Sequence, residues 1–121
     1  DFGEDFIITM APIQSSLQNN YPGMGGFVYK DLYNSQEGKR IDYFNGQFYE
    51  DYTENAYTQV INNNFPPEKI VMGMISGEEF ETELKKVYQK YGNNFGGVFI
   101  WEYCNSPENW FQLIKNIFSN T

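Results

Sequence analysis

The stretch that decides the fold runs from Ile41 to Glu50 and reads I-D-Y-F-N-G-Q-F-Y-E. Its aromatic residues predict a β-strand over Ile41–Tyr49, in which alternate side chains point to opposite faces. Phe44 and Phe48 then share one face. The other face carries four hydrogen-bonding side chains, those of Tyr43, Asn45, Gln47 and Tyr49. Because a strand inside a helix-covered parallel sheet is expected to be apolar on both faces, this polar face predicts a strand beside a polar ligand, as in the lumen of a barrel.

The composition of the 121 residues fits one domain with one core. A formal net charge of −8 argues against nucleic acid or an anionic membrane as a partner, and no apolar run has the length of a membrane span. The chain has no histidine and a single cysteine, which excludes histidine-based triads and thiolate metal cages. We therefore expect no metal and no other cofactor, and we interpret Cys104 as an inert buried thiol.

The rest of the sequence repeats a strand followed by a helix. Strands are predicted at Phe6–Pro12, Ile41–Tyr49, Lys69–Ile75 and Gly97–Tyr103. Helices are predicted at Ser15–Asn20, Asp51–Asn64, Ser76–Tyr91 and from Ser106 onwards. The segment F-V-Y-K-D-L fits either a small strand or a helical turn. This alternation implies a parallel sheet with right-handed crossovers.

Local signals predict how the last two helices begin and which residues they bury. Ser76 with Glu79 has capping-box spacing, Ser106 precedes a proline at the first helical position, and Gly92 is a typical helix end. The buried face of the last helix is predicted to hold Trp110, Phe111, Ile114, Ile117 and Phe118. In the strands, Met72 and Met74 are expected to fill the core.

Two folds accommodate four such units. They can form half of an eight-stranded (β/α) barrel, with residues 1–121 as one half-barrel unit and the helices outside. They can also form a small, open, doubly wound sheet. The polar face at Tyr43–Tyr49 favours the barrel, because strand ends line the site of a barrel.

Four motifs occur in an order that resembles a known family. They are T-M-A-P, D-Y-F-N-x-Q-F-Y, K-I-V-M-G-M and G-G-V-F-I-W. Together they resemble the last four strands of the family-18 glycoside hydrolases, the chitinase and endo-N-acetylglucosaminidase group. The resemblance covers nearly the whole chain and implies the carboxyl-terminal half, strands five to eight, of a TIM (β/α)8 barrel.

The resemblance also implies a reaction and a set of site residues. Family members cleave β-1,4 bonds next to N-acetylglucosamine by substrate-assisted retaining hydrolysis, an exception to the two-carboxylate scheme. The acetamide oxygen of the sugar attacks the anomeric carbon while a glutamic acid protonates the leaving oxygen. By resemblance, Tyr49 would position the acetamide, Gln47 would line the same subsite, and Trp101 would form its floor. Met10 and Ala11 would border it.

Two departures from the family limit what the chain can do. The acidic motif D-x-x-D-x-D-x-E does not occur in these residues, and Glu50 stands where the family often has Asn or Asp. The isolated chain is therefore predicted to be inactive, and whether it is an enzyme stays open. Two outer strands would also need cover, from the missing amino-terminal half or from a second copy. The resemblance alone implies an extracellular location.

Other readings of the same residues stay open. The chain could be a non-catalytic, lectin-like module that binds N-acetylglucosamine glycans, or a doubly wound domain with no glycan role. Tyr49 could be an ordinary strand-end tyrosine and Trp101 a core tryptophan. Glu102 is expected on the opposite face from Trp101, in a structural or solvated position. Asn45 and Gln47 are harder to explain as core, because buried amides need partners.

Overall fold

A computed structural model describes residues 2–120 and contains one sheet of four parallel strands. The strands are β1 (Thr9–Met10), β2 (Tyr43–Gln47), β3 (Ile70–Ile75) and β4 (Val98–Trp101). They lie side by side in chain order, and every neighbouring pair is parallel. This order confirms the predicted parallel α/β architecture. It has no switch point, so the doubly wound alternative is wrong.

Five α-helices connect or follow these strands in the described residues. They are α1 (Gln14–Gln18), α2 (Tyr29–Asn34), α3 (Glu54–Asn62), α4 (Glu81–Tyr91) and α5 (Trp110–Ser119). The undecided segment F-V-Y-K-D-L contributes to α2. The longest helix, α4, has 11 residues, whereas a bilayer span needs about 20. No helix within residues 2–120 could therefore cross a membrane.

The helices cover one face of the sheet, and the core lies between them. Phe44 of β2 and Met72 and Met74 of β3 are fully buried there, as predicted for the two methionines. Leu84 and Val87 of α4 pack into the same cluster. Each large apolar side chain buried in this way contributes about 1.5–3 kcal/mol. The fold is thus stabilised from one side of the sheet.

The edge strand β1 is much shorter than the predicted segment Phe6–Pro12. A strand at the edge of a sheet has one neighbour only, so its ladder depends on β2 alone. Where the ladder would continue, the backbone N–H of Ile8 donates to the carboxylate of Asp42 at 2.7 Å. The N–H of Asp42 in turn donates to the carbonyl of Ile8 at 2.8 Å. A side chain therefore replaces a backbone partner at the start of β1.

Helix α3 is shorter than predicted because a better cap lies inside the predicted range. The Thr53 hydroxyl accepts a hydrogen bond from the N–H of Ala56 at 3.0 Å, and the helix begins at Glu54 rather than Asp51. A threonine at this position stabilises a helix start by about 1 kcal/mol.

The predicted caps of the last two helices are wrong. Helix α4 begins at Glu81, after a turn in which Glu79 accepts from the N–H of Thr82 at 3.2 Å, so Ser76 does not cap it. Helix α5 begins at Trp110, and the Ser106 hydroxyl donates to the carbonyl of Glu102 at 2.9 Å instead. Gly92 does end α4, with a positive φ of 54°.

Two predicted buried side chains are exposed. Phe111, in the first turn of α5, is 69% exposed, because α5 packs chiefly on α4 and Phe111 lies outside that contact. The other members of its predicted face, Trp110, Ile114, Ile117 and Phe118, do pack on the core. Cys104 is an exposed free thiol, since it lies in a 3-10 turn beyond β4 and not in a strand.

Two buried tyrosines attach α3 and the segment before it to β3. The Tyr57 hydroxyl donates to the carbonyl oxygens of Pro67 at 3.0 Å and Ile70 at 3.2 Å. The Tyr52 hydroxyl donates to the carbonyl of Met72 at 3.3 Å. Burial raises the pKa of both hydroxyls above the usual tyrosine value. These groups stay protonated and bonded at neutral pH.

We expect alkaline pH to destabilise the chain through these hydroxyls. A tyrosine with a raised pKa in the folded state stabilises the fold fully below its unfolded pKa, about 10, and loses that contribution as pH rises towards the folded value. The free energy of unfolding in urea should therefore fall from about pH 9 to about pH 11.5. Tyr57→Phe should cost about 1 kcal/mol at neutral pH and show a flatter fall.

The control for this measurement is Tyr88→Phe, which removes an exposed hydroxyl from a half-buried tyrosine of α4. It should keep the wild-type pH dependence. A Tyr57→Phe variant whose stability falls as steeply as that of the wild type would contradict the assignment.

Candidate functional site

The face of the sheet without helices, here called the open face, carries the predicted polar side chains. Along β2 and just beyond it, Tyr43, Asn45, Gln47 and Tyr49 are half-buried and alternate with fully buried positions. Phe44 and Phe48 on the other face have no exposed surface. The alternation predicted from the sequence is therefore confirmed.

The register of the sheet brings side chains from β3 and β4 onto the same open face. Gln47 lies beside Gly73, and Gly73 lies beside Phe99. Trp101 lies beside Ile75 at the carboxyl end of β4. Residues that are partners in neighbouring parallel strands point to the same side of the sheet. The open face therefore combines amide and hydroxyl groups from β2 with aromatic rings from β4.

Gln47 is held in place by the segment that follows β1. Its side-chain amide donates to the carbonyl oxygen of Ala11 at 2.7 Å, and its backbone N–H donates to the carbonyl of Pro12 at 2.9 Å. Ile13 pairs with Gln47 across the sheet. The hydrogen bond of the amide nitrogen thus fixes the Gln47 side chain. The side-chain amide oxygen of Gln47 makes no hydrogen bond with the residues that the structure describes.

Tyr49 presents a hydroxyl that is free to donate. Its ring meets the Phe99 ring edge-on, with centroids 6.3 Å apart and planes at 79°. Partial burial raises the pKa of the Tyr49 hydroxyl, so it stays neutral. Within residues 2–120 this hydroxyl makes no hydrogen bond. An oriented, neutral donor of this kind suits a carbonyl oxygen on a ligand.

The position of the Phe99 ring depends on Gly73. A Cβ atom at Gly73 would lie 2.0 Å from the tip of the Phe99 ring, so the ring occupies the space that any other residue would fill. Phe99 in turn supports the Tyr49 ring. Sequence reasoning did not single out Phe99, although its alternation with Trp101 in G-G-V-F-I-W was a signal that could have found it.

Trp101 offers an uncovered aromatic surface at the carboxyl end of β4. Its side chain is 60% exposed, so it is not the core tryptophan of the alternative reading. The bond between Trp101 and Glu102 is a cis peptide. Glu102 is exposed, as expected, and its carboxylate accepts a hydrogen bond from the Asn105 amide. It serves the turn after β4.

Of the two site residues predicted from the first strand, Met10 lies outside the site and Ala11 lies beside Gln47. Met10 is in register with Phe44 and packs against the core, which places it on the helix-covered face. We therefore leave Met10 out of the site. Ala11 is exposed and accepts the hydrogen bond from Gln47. Ile13, one pair further along the chain, is the exposed neighbour of Gln47 that sequence reasoning missed.

The assembled group can bind and orient a ligand. It contains a hydroxyl donor, an amide oxygen and an aromatic surface, from Tyr49, Gln47 and Trp101. Glu50, next to Tyr49, is exposed and has a positive φ of 64°, a conformation more typical of Asn or Asp. Within residues 2–120, no three acidic or thiol side chains are arranged to hold a metal ion.

Comparisons with known proteins give two informative matches, both to solved structures. The first is a fungal endo-β-N-acetylglucosaminidase from glycosyl hydrolase family 18, with a TM-score of 0.82 and 32% identity over 97% of this chain. The second is a chitinase from Aspergillus fumigatus, with a TM-score of 0.76 and 26% identity over 99% of this chain. No protein-family model matches, and no curated protein does.

These matches confirm the resemblance to family 18. The chain spans about half the length of the two solved structures, 47% and 49%. Its parallel four-stranded sheet with helices therefore has the fold of half a family-18 barrel.

The two faces of the sheet should respond differently when a methyl group is added to a glycine. Gly73→Ala displaces the Phe99 ring into open space, so it should cost less than about 1 kcal/mol of stability. It should also shift the NMR resonances of the Tyr49 ring, because the Phe99 ring beneath it moves.

Gly46→Ala is the matched change on the helix-covered face. The new methyl would meet the Phe48 ring at 2.6 Å. Phe48 is fully buried and cannot move away, so this variant should lose about 1–3 kcal/mol. Equal losses for the two variants, measured by urea unfolding, would contradict the difference between the faces.

Proposed function

We propose that this chain forms the carboxyl-terminal half, strands five to eight, of a chitinase-like glycoside hydrolase that acts on β-1,4-linked N-acetylglucosamine glycans. The observation that carries the proposal is the free Tyr49 hydroxyl, which lies on the open face with Gln47 and the exposed ring of Trp101. The similarity to an endo-β-N-acetylglucosaminidase and a chitinase over nearly the whole chain supports it.

In the proposed reaction these residues position the sugar. The Tyr49 hydroxyl donates to the acetamide oxygen and holds it in line with the anomeric carbon, where it acts as the nucleophile of a retaining, substrate-assisted reaction. The oxygen of the Gln47 amide accepts from a polar group of the same sugar. The ring of Trp101 supports the apolar face of the sugar. The small side chain of Ala11 leaves room beside Gln47.

The acid of the reaction has to come from elsewhere. A substrate-assisted glycosidase still needs one carboxylic acid to protonate the leaving oxygen. The motif D-x-D-x-E is absent from this sequence. In the proposed assembly, the amino-terminal half-barrel supplies that acid opposite Tyr49.

The surface of the chain supports a partner of this kind. The outer edges of β1 and β4 have no neighbouring strand in the described sheet. The accessible surface is 7464 Å², whereas a compact protein of this mass has about 6,800 Å². The chain therefore exposes more surface than a compact protein of its mass. A missing half or a second copy could cover these edges.

A second candidate function is glycan binding without cleavage. It is favoured by the same open face, which holds binding groups from β2 and β4 while the sequence lacks the acidic motif. In this case the chain is a lectin-like module that uses Tyr49 and Trp101 in the same way. The two functions differ in whether a partner brings an acid.

Binding of chitotriose tests the site shared by both functions. We expect Tyr49→Phe to weaken binding about five-fold, the value of one hydrogen bond, and Trp101→Ala to weaken it about ten-fold or more. Tyr88→Phe, which removes a hydroxyl on the helix-covered side, should bind like the wild type. In NMR spectra the indole N–H of Trp101 should shift on titration, while that of Trp110 should not.

The proposed site would be rejected if neither substitution changed the affinity for chitotriose, or if the NMR shift were confined to the indole N–H of Trp110.

Catalysis is tested with the purified chain. We expect no cleavage of chitin oligomers or of a fluorogenic N-acetylglucosaminide, because the chain lacks the D-x-D-x-E acid that would protonate the leaving group. Co-expression with an amino-terminal half-barrel that carries D-x-D-x-E should produce cleavage that Tyr49→Phe lowers. Cleavage by the chain alone would contradict the division of roles, and binding with no cleavage in the co-expressed pair would favour the lectin-like function.

A further inference from the structure

Tyr49 lies in a β-turn that directly follows β2. The N–H of Asp51 donates to the carbonyl of Phe48 at 3.3 Å, which makes Tyr49 and Glu50 the two central residues of the turn. Glu50 has a φ of 64°, and a positive φ at the second central position of a turn is usual for glycine or asparagine. A glutamate in this conformation persists only where its surroundings hold it. The contacts that hold the turn therefore help to determine where the Tyr49 hydroxyl lies.

Asp51, which closes this turn, is held by side chains from two helical segments. The amide nitrogen of Gln14, the first residue of α1, donates to the Asp51 carboxylate at 2.5 Å. The Thr53 hydroxyl donates to the other carboxylate oxygen at 3.4 Å, and the Thr53 N–H donates to the Asp51 carbonyl at 3.0 Å. Asp51 thus joins the turn of Tyr49 to α1 on one side and to the start of α3 on the other.

The orientation of the Gln14 amide follows from its contact with Asp51. An ionised carboxylate only accepts hydrogen bonds, so the nitrogen of the amide has to face it. The amide oxygen Oε1 of Gln14 is then buried and makes no hydrogen bond within residues 2–120. A buried acceptor without a donor is unfavourable. The chain tolerates this arrangement together with the contact to Asp51, which indicates that the contact matters.

A second glutamine of α1 provides a comparison. The amide nitrogen of Gln18 donates to the backbone carbonyl of Ala56 in α3 at 3.0 Å. Both glutamines therefore attach α1 to α3 or to the segment just before it. Only Gln14 contacts Asp51, the residue that closes the turn of Tyr49. A role in attaching the helix alone would make the two glutamines equivalent.

We propose that Gln14 is a positioning residue, which acts through Asp51 by holding the turn that carries Tyr49. This inference rests on the proposed function and adds to it a residue that does not contact the sugar. Gln14 fixes the backbone from which the Tyr49 side chain projects, whereas Phe99 contacts the Tyr49 ring itself. The Tyr49 hydroxyl is thereby held in one place before a ligand binds, which lowers the entropy lost on binding.

The first experiment compares Gln14→Ala with the matched control Gln18→Ala in titrations with chitotriose. We expect Gln14→Ala to weaken binding about three-fold, because the turn keeps its other hydrogen bonds. Gln18→Ala should bind like the wild type. In a Tyr49→Phe background, Gln14→Ala should change the affinity by less than about 1.5-fold, because a residue that acts through the Tyr49 hydroxyl then has nothing to position.

The second experiment measures the Tyr49 ring without a ligand. Its NMR resonances depend on the Phe99 ring, whose centroid lies 6.3 Å away. We expect Gln14→Ala to shift these resonances and Gln18→Ala to leave them unchanged. Gln14→Glu places a second carboxylate against that of Asp51 and should shift them too. Gln14→Glu combined with Asp51→Asn exchanges the donor and the acceptor, so it should restore the resonances and the affinity of the wild type.

The outcomes separate this inference from the proposed function. Tyr49 resonances that Gln14→Ala leaves unchanged, or that Gln18→Ala shifts equally, overturn the positioning role. A loss of affinity that persists in full in the Tyr49→Phe background also overturns it, because Gln14 then acts on the sugar by another route. A wild-type chain that binds no chitotriose overturns the proposed function. In that case a shift in the ligand-free spectra that the exchanged pair reverses still supports the positioning role.

Discussion

When helices cover only one face of a parallel sheet, the second face must contact water, a ligand or a partner. In this chain the helices pack on Phe44, Met72 and Met74, and they bury the apolar half of every strand they touch. The opposite half carries groups that a core would not tolerate, among them the amides of Asn45 and Gln47. Buried amides without partners cost free energy. The open face is therefore stable only where water, a ligand or a partner satisfies it, and the position of the site follows from that constraint.

Within the open face, the binding groups are positioned by atoms that do not themselves contact a ligand. The missing Cβ of Gly73 admits the Phe99 ring, and Phe99 supports Tyr49. The carbonyl of Ala11 orients Gln47. Such supporting contacts hold the donor and acceptor groups before a ligand arrives, which lowers the entropy lost on binding. Trp101 differs because its exposed ring needs no support to offer a flat surface.

The sequence predicted what depends on alternation and on spacing. The period of two in Ile41–Glu50 separated Phe44 and Phe48 from the polar residues, because every residue of a regular strand obeys it. Sequence patterns do not predict what tertiary neighbours decide. Met10 was assigned to the site by the family resemblance alone, and the register of its two-residue strand with β2 turns it to the helix-covered face. Phe111 is exposed although it lies on the predicted apolar face of α5, which packs chiefly on α4. Ser76 and Ser106 have the chemistry of caps, but the chain makes a turn before either helix begins.

The different lengths of the two edge strands give the two edges of the sheet different tendencies to aggregate. Strand β1 has two residues only, and so short an edge strand is a poor template for another strand. Strand β4 has four residues, and its sequence V-F-I-W is apolar and uncharged. Unwanted strand addition would therefore begin at β4, and a charged residue introduced into β4 would suppress fibril growth without disturbing β1.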